Sequence, residues 1–187
     1  RGLDTGPILA SSGITISPSD TTESLSESLA DLAAELLDRS LAGVVSGALM
    51  PQEQPAGATM TRPMTKDDGW LDLSLPAIGL ERHVRAMWPW PRAWTTLEDG
   101  ERLQVHAADV EQHVNLGPGA VRHADGRVLV GTGEGALALK RILLPGAKPI
   151  EGAAISQSRA LAAGVVLGEV GRPEGLTPLV IPLETVL

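Results

Sequence analysis

The stretch AWTTLEDGERLQVHAADVEQHVNLGPGAVRHADGRVLVGTGEGALALKRILL, residues 93–144, decides the fold of this chain. Alternating apolar and polar residues, as at 102–110, are separated by turn residues at 98–100, 117–119 and 125–126. Such turn signals, spaced about 8–12 residues apart, are typical of a small antiparallel β-barrel or sandwich. We therefore expect this stretch to form an antiparallel sheet.

A short helix is predicted just before that stretch, over residues 76–87. Leu80, Val84 and Met87 recur at helical spacing, so they share one apolar face. The two prolines within residues 88–91 forbid continuation of the helix.

Two further patterns surround this helix. Residues 70–75 alternate like a strand, and residues 151–163 are compatible with a second short helix. Trp88, Trp90 and Trp94 could stack on nucleobases or fill the core. Because the chain has no Phe or Tyr, the core interpretation is favoured.

A long amphipathic helix is predicted between residues 20 and 50. Leucines recur at helical spacing from Leu25 to Leu37, and acidic residues occupy the opposite face. A helix of this kind needs a packing partner, and the short apolar runs 8–10 and 14–16, predicted as a hairpin, cover little of it. The sequence also opens without a methionine, so we expect further structure to precede it.

Composition places the chain among folded globular proteins. It has 187 residues, of which 43% are hydrophobic and 20% charged. It contains no cysteine, which excludes disulfides, thiolate metal sites and a cysteine nucleophile. No apolar run approaches the roughly 20 residues of a membrane span, and the four histidines lack the spacing of metal ligands. We therefore expect neither membrane association nor a metal site.

Charge is distributed unevenly along the chain. The net charge is −8, which argues against strong non-specific binding of nucleic acid. However, 11 of the 15 basic residues lie within residues 60–150, where they balance 11 acidic residues. This segment could present a basic face if the fold separates the charges, or an ordinary mixed surface if it does not.

The order of several motifs resembles the methionyl-tRNA formyltransferases, within the folate-dependent formyltransferase superfamily. The matching stretches are GLDTG (2–6), LERHVRA (80–86), WPRAW (90–94), GTGEG (131–135) and PGAK (145–148). Together they cover roughly residues 1–168, and their shared order is more specific than any one of them.

This resemblance implies an α+β chain with three parts. Residues 1–50 would be the carboxy-terminal end of a Rossmann-like formyltransferase domain, seen as a hairpin plus a helix. Residues 51–66, rich in proline, would be a linker. Residues 67–187 would form a small OB-fold-like antiparallel β-barrel with one or two helices.

The resemblance also implies an activity. Enzymes of this family move a formyl group from 10-formyltetrahydrofolate to the amine of methionine on initiator tRNA. The resemblance assigns Asp4 as a catalytic residue and Leu3, Asp4, Thr5 and Gly6 to the folate pocket. Without the resemblance, Asp4 would be interpreted as a loop cap. The family's Asn-x-His motif is absent, because Asn115 is the single asparagine. We therefore expect the isolated chain to be inactive.

Contacts with tRNA are predicted for seven basic residues, although each could also be a solvated surface residue. Two lie in the linker region, where the family is rich in lysine, two share the short helix near Trp90, and three flank one end of the last strand. They are Arg62, Lys66, Arg82, Arg85, Lys140, Arg141 and Lys148. The expected partner is initiator methionyl-tRNA, and we expect a cytoplasmic monomer. Two alternatives are a formyltransferase that acts on an amino-sugar nucleotide, which the acidic balance favours, and a binding module without chemistry of its own.

Overall fold

The computed structural model of the chain describes residues 6–55 and 62–175. The chain divides into two compact units, and the boundary lies between Pro63 and Met64. In the described parts of both units, no helix is long and apolar enough to cross a membrane.

The first unit contains one long helix, α1, at Thr22–Ser46. Its start is fixed by a capping box, in which the Ser24 N–H donates to Thr21 Oγ1 (3.2 Å) and the Thr21 N–H donates to Ser24 Oγ (3.1 Å). Gly47 ends it in a left-handed conformation, with φ of 71°. The predicted long helix is therefore present.

The apolar stripe of α1 is not covered by the described residues of its own unit. The helix has no buried residue, and Leu37, Leu41 and Val45 are 62%, 51% and 80% exposed. The hairpin predicted from the runs 8–10 and 14–16 is wrong. Ile8 instead exchanges backbone hydrogen bonds with Gln52, at 2.7 and 2.9 Å. The two runs are short and exposed, so their pairing would bury too little apolar surface to offset the cost of ordering them.

The second unit contains an antiparallel sheet and one α-helix. The helix α2 is Ala77–Ala86, and short 3₁₀ helices span Lys66–Gly69, Gly152–Gln157 and Arg159–Leu161. The strands are β1 Ala93–Thr96, β2 Arg102–Glu111, β3 Val121–Ala124, β4 Arg127–Gly131, β5 Ala136–Leu143 and β6 Ile150–Glu151. They pair in the order β1-β2-β5-β4-β3, and β6 also pairs with β5. The predicted antiparallel arrangement of residues 93–144 is confirmed.

Helix α2 forms as the sequence predicts and closes one side of the core. Leu80, Val84 and Met87 are buried in the same cluster as Leu103 and Leu139, from the middle strands. The helix begins directly after Pro76, whose fixed φ suits a helix start.

The strand predicted at residues 70–75 is wrong. Asp72 instead forms a turn, because its Oδ1 accepts hydrogen bonds from the Ser74 N–H (3.1 Å) and the Ser74 hydroxyl (2.5 Å). Such a local side-chain bond offers the backbone an alternative to sheet pairing. Extended pairing is limited to an isolated bridge between Trp70 and Trp94.

The predicted helix at residues 151–163 is replaced by the two 3₁₀ helices that follow β6. They carry Ile155 and Leu161, both fully buried, into the core. The apolar tail predicted at residues 176–186 lies outside the described residues.

A segment after these helices, residues 164–172, contacts both ends of the strand order, and we call it the carboxy-terminal strap. The Val121 N–H donates to the Val165 carbonyl (2.8 Å), and the Gly168 N–H donates to the Thr96 carbonyl (2.9 Å). Val121 begins β3 and Thr96 ends β1. The two outer strands of the pairing order are thereby connected through the strap.

Candidate functional site

The loop expected to carry the catalytic residue lies almost wholly outside the described part of the chain. Leu3, Asp4 and Thr5 are outside it, and Gly6 is inside. The exposed Gly6 carbonyl accepts a hydrogen bond of 2.6 Å from Gln54 Nε2. The proposed roles of these residues therefore stay predictions.

The two cations of the predicted linker region lie in different units. Arg62, in the first unit, donates from Nη1 to the Pro63 carbonyl at 3.1 Å. Lys66 begins the first 3₁₀ helix of the second unit, and its carbonyl accepts a hydrogen bond of 3.0 Å from Trp94 Nε1. This bond fixes the backbone at Lys66, while the side chain is exposed and makes no ion pair with the described residues.

The two arginines of α2 are held differently. Arg85 forms a two-point pair with Glu81, at 2.7 Å from Nε to Oε1 and 3.2 Å from Nη2 to Oε2. Arg82 is partly buried and has no ion pair among the described residues. Arg82 therefore keeps its full charge available to a ligand, whereas the charge of Arg85 is already balanced.

Each of the two cations of β5 is paired with a carboxylate, as Arg85 is. Lys140 Nζ lies 3.2 Å from Asp109 of β2, and Arg141 Nε lies 2.5 Å from Glu151 of β6. Both pairs are exposed, so each contributes about 0–1 kcal/mol and can be exchanged for another anion. Lys148 is exposed and has no ion-pair partner within the described chain. The predicted cations thus lie on a mixed surface.

A row of polar side chains on the outer face of β2 was not predicted. Arg102, Gln104 and His106 alternate with the buried Leu103 and Val105, so they point to the same side of the sheet. Sequence alternation predicts this face, but it gives no sign of what the polar residues contact.

Arg102 stacks on a tryptophan of the neighbouring strand. Its guanidinium carbon lies 3.8 Å from the ring centroid of Trp94, which pairs with Gln104 across β1 and β2. Arg102 also lies 3.5 Å from Asp67, a partly exposed pair of modest strength. A cation held over an aromatic face in this way keeps a fixed position.

Residues Trp88–Arg92 follow α2, and we call them the tryptophan corner. The Trp88 ring lies 5.0 Å from His106 and 5.6 Å from the Arg92 guanidinium. Gln104 Oε1 accepts from Arg92 Nη1 at 3.5 Å and lies 3.0 Å from His106 Nε2. Burial, together with the charges of Arg92 and Arg141, lowers the pKa of His106 to about 4. The imidazole is therefore neutral at pH 7.

The tryptophans of this region divide into core and surface residues. Trp94 is 4% exposed, as the core interpretation predicts, but that interpretation is wrong for Trp90, which is 52% exposed. Prolines on both sides of Trp90 remove it from any helix or strand that would bury it, and this is a signal that the sequence does contain.

No group of three or more metal-binding side chains occurs in residues 6–55 and 62–175. The second unit, as far as it is described, has one α-helix packed on an antiparallel sheet. The same fold occurs in HypX from Aquifex aeolicus, with a TM-score of 0.62 and 19% identity over 84% of this chain and 29% of that one. A HypX structure in complex with tetrahydrofolic acid gives a TM-score of 0.51 and 20% identity over 69% of this chain and 23% of that one.

The family model described as formyl transferase, C-terminal domain, matches residues 63–160, and the chain belongs to this family. The chain is 41% identical to the methionyl-tRNA formyltransferase of Ectopseudomonas mendocina over 172 residues, which are 90% of this chain and 54% of that protein. It is 40% identical to that of Corynebacterium glutamicum over 157 residues, 82% of this chain and 50% of that protein. The chain therefore spans about half the length of these curated relatives, and the resemblance seen in the sequence is confirmed.

Proposed function

We propose that this chain is the carboxy-terminal part of a methionyl-tRNA formyltransferase, which transfers formyl from 10-formyltetrahydrofolate to the amine of initiator methionyl-tRNA. The observation that carries the proposal is the identity of 40–41% to enzymes of that name over 82–90% of the chain. The same identity favours tRNA over an amino-sugar nucleotide as the formyl acceptor.

Residues 1–50, within the first unit, are assigned to the end of a Rossmann-like catalytic domain, and residues 51–66 are assigned as the linker. The exposed leucines and valines of α1 support this assignment. Full burial of one leucine or valine side chain is worth about 1.5–3 kcal/mol. Additional structure packed over the apolar stripe of α1 would therefore stabilise the helix. The matched stretch is only 54% of the relative from Ectopseudomonas mendocina, so the rest of such a protein has the length to supply that structure.

Asp4 is assigned a role in proton transfer. Formyl transfer requires an unprotonated amine, hydrogen-bond donors for the oxyanion, and a path for a proton to the folate nitrogen. By its resemblance to the family motif, Asp4 would pair with a histidine of the preceding part of the enzyme, and Leu3, Thr5 and Gly6 would line the folate pocket. The HypX structure with tetrahydrofolic acid supports folate as the co-substrate. Since the chain lacks Asn-x-His, it transfers no formyl group by itself.

Residues 67–187, which make up most of the second unit, are assigned as an OB-fold-like barrel that binds the tRNA. The strap that joins β1 to β3 supports a closed sheet, because it hydrogen-bonds to both outer strands. Lys66, Arg82 and Lys148 are the predicted cations best placed to gain a phosphate, since no carboxylate among the described residues holds them. The enzyme acts as a cytoplasmic monomer.

The test uses the full-length gene product. We expect it to formylate methionyl initiator tRNA with 10-formyltetrahydrofolate, whereas the purified 187-residue chain binds the tRNA without formylating it. Transfer to an amino-sugar nucleotide, with none to the tRNA, would overturn the proposal. Formyl transfer by the 187-residue chain alone would overturn the assignment of the catalytic groups to a preceding part.

A further inference from the structure

The tryptophan corner presents an aromatic ring to solvent. The Trp90 indole is 52% exposed, and it is flanked by Pro89 and Pro91. Each proline fixes its own backbone φ, which restricts the backbone around Trp90. An indole turns about only two side-chain torsions, so it loses little conformational entropy when a second ring stacks on it.

Arg92 adds a positive charge to the tryptophan corner, two residues after Trp90 and 5.6 Å from the Trp88 ring centroid. Its position is fixed at several points. Its backbone has a φ of 72°, which is uncommon for a residue other than glycine. The Arg92 N–H donates to the Met87 carbonyl at 2.8 Å, and Nε donates to the Pro89 carbonyl at 3.2 Å. Its described partners are carbonyl oxygens, the Gln104 amide and the Trp88 ring, all of them neutral. The Arg92 guanidinium is therefore held in position, and no carboxylate of the described residues pairs with it.

The outer face of β2 continues the positive surface from this corner. Arg92 and Arg141 both lie close enough to His106 to act on its charge, and Arg102 lies two residues before Gln104 on the same face. Asp67 and Glu151 are the carboxylates paired with Arg102 and Arg141, and both pairs are exposed to solvent. Neutral hydrogen-bonding groups, the Gln104 amide and the His106 ring, lie among these cations.

We infer that the tryptophan corner and the outer face of β2 bind an unpaired nucleotide of RNA, whose base stacks on Trp90 and whose flanking phosphates contact Arg92 and Arg102. Unpaired bases are recognised by aromatic rings and guanidinium planes, whereas bases in a duplex are not free to stack. An exposed indole in a corner that also carries Arg92 suits a nucleotide better than an apolar protein surface, which needs a larger apolar patch. The inference rests on the proposed function and adds the kind of RNA structure that this surface recognises.

The experiment titrates the 187-residue chain with a fluorescently labelled single-stranded RNA hexamer and with an RNA duplex of the same length. We expect the single strand to bind more tightly and to quench tryptophan fluorescence. Trp90→Ala should weaken its binding about 5- to 150-fold, the range that corresponds to the loss of one base–aromatic stack, and Trp90→Phe should restore most of it. Arg92→Gln should lower the slope of log K against log salt by about 0.7.

The matched control is Arg122→Gln, which removes one exposed charge from β3 and leaves the tryptophan corner intact. It should keep the fluorescence quenching of the single strand. Equal binding of single strand and duplex, or unchanged binding by Trp90→Ala with an unchanged near-ultraviolet circular dichroism spectrum, would overturn the inference. So would a loss of self-association in Trp90→Ala without any loss of RNA affinity, because the corner would then be a protein interface.

The full-length enzyme separates this inference from the proposed function. If the enzyme formylates methionyl-tRNA and Trp90→Ala leaves KM for the tRNA unchanged, the inference fails and the function stands. If the enzyme formylates no tRNA but the chain binds the hexamer through Trp90, the function fails and the inference stands.

Discussion

Protonation of His106 should destabilise the second unit. Its ring lies against Trp88, and burial together with the charges of Arg92 and Arg141 lowers its pKa from 6.5 to about 4. Above pH 6.5 the ring is neutral in both the folded and the unfolded chain, so it adds no pH dependence. Between pH 6.5 and about 4 only the unfolded chain takes up the proton, and the free energy of unfolding therefore falls as the pH falls.

The size of this loss follows from the two pKa values. At about 1.4 kcal/mol for each pKa unit, the difference between 6.5 and about 4 corresponds to roughly 3 kcal/mol. The ring is only partly buried, and solvent screening reduces the effect, so we expect about 1–2 kcal/mol. His83 is buried in α2 and its pKa is also lowered by burial, so it adds a loss in the same direction.

Urea unfolding followed by tryptophan fluorescence measures this effect, since all four tryptophans lie in the second unit. His106→Gln is the informative variant, because its amide can bond to Gln104 and cannot be protonated. Between pH 7 and pH 4.5 the parent chain should lose about 1–2 kcal/mol more stability than the variant. The contribution of His83 is present in both proteins and cancels in this comparison. Equal losses in parent and variant would refute the reasoning.

Three further predictions concern a glycine, the catalytic loop and an unpaired lysine. Gly133→Ala would place a Cβ 1.9 Å from the Ser74 carbonyl oxygen, so thermal unfolding should show a loss of about 1–3 kcal/mol, whereas the control Gly117→Ala meets open space. In the full-length enzyme, Asp4→Asn should lower kcat by about 10²–10⁴-fold and leave the Kd for tRNA unchanged; a loss below threefold would return Asp4 to the role of a loop cap. Lys148→Ala should weaken tRNA binding and reduce its salt slope by about one, with an unchanged single-turnover rate at saturating tRNA; an unchanged slope would place Lys148 outside the interface.

The sequence correctly predicts those parts of the fold that are specified by residues close together along the chain. The turns at 98–100 and 125–126 join strands that are neighbours in both sequence and space, so their residues determine the antiparallel pairing. Helix α2 has an apolar face that packs into the hydrophobic core formed with the sheet. By contrast, Ile8 pairs with Gln52 across the whole of α1, and no local pattern specifies that partner.

The candidate site was predictable as a set of residue types and not as a set of contacts. Lys140 and Arg141 were identified as cations, but their partners Asp109 and Glu151 belong to strands β2 and β6 and become neighbours only when the sheet forms. The contact between Arg102 and Trp94 likewise depends on the register of β1 against β2. Charge balance on a sheet surface is therefore a property of strand register, which residue counts do not contain.

Register also bears on how a chain with a net charge of −8 would bind the proposed RNA ligand. When a phosphate replaces Asp109 beside Lys140, one exposed ion pair is exchanged for another, and little free energy is gained. When a phosphate reaches Lys148 or Arg92, a new ion pair forms where the described residues supply no carboxylate. Affinity for RNA should thus be concentrated in the few cations that lack an acidic partner. It follows that the salt dependence of binding should reflect those few residues and not the 11 basic residues of the segment 60–150.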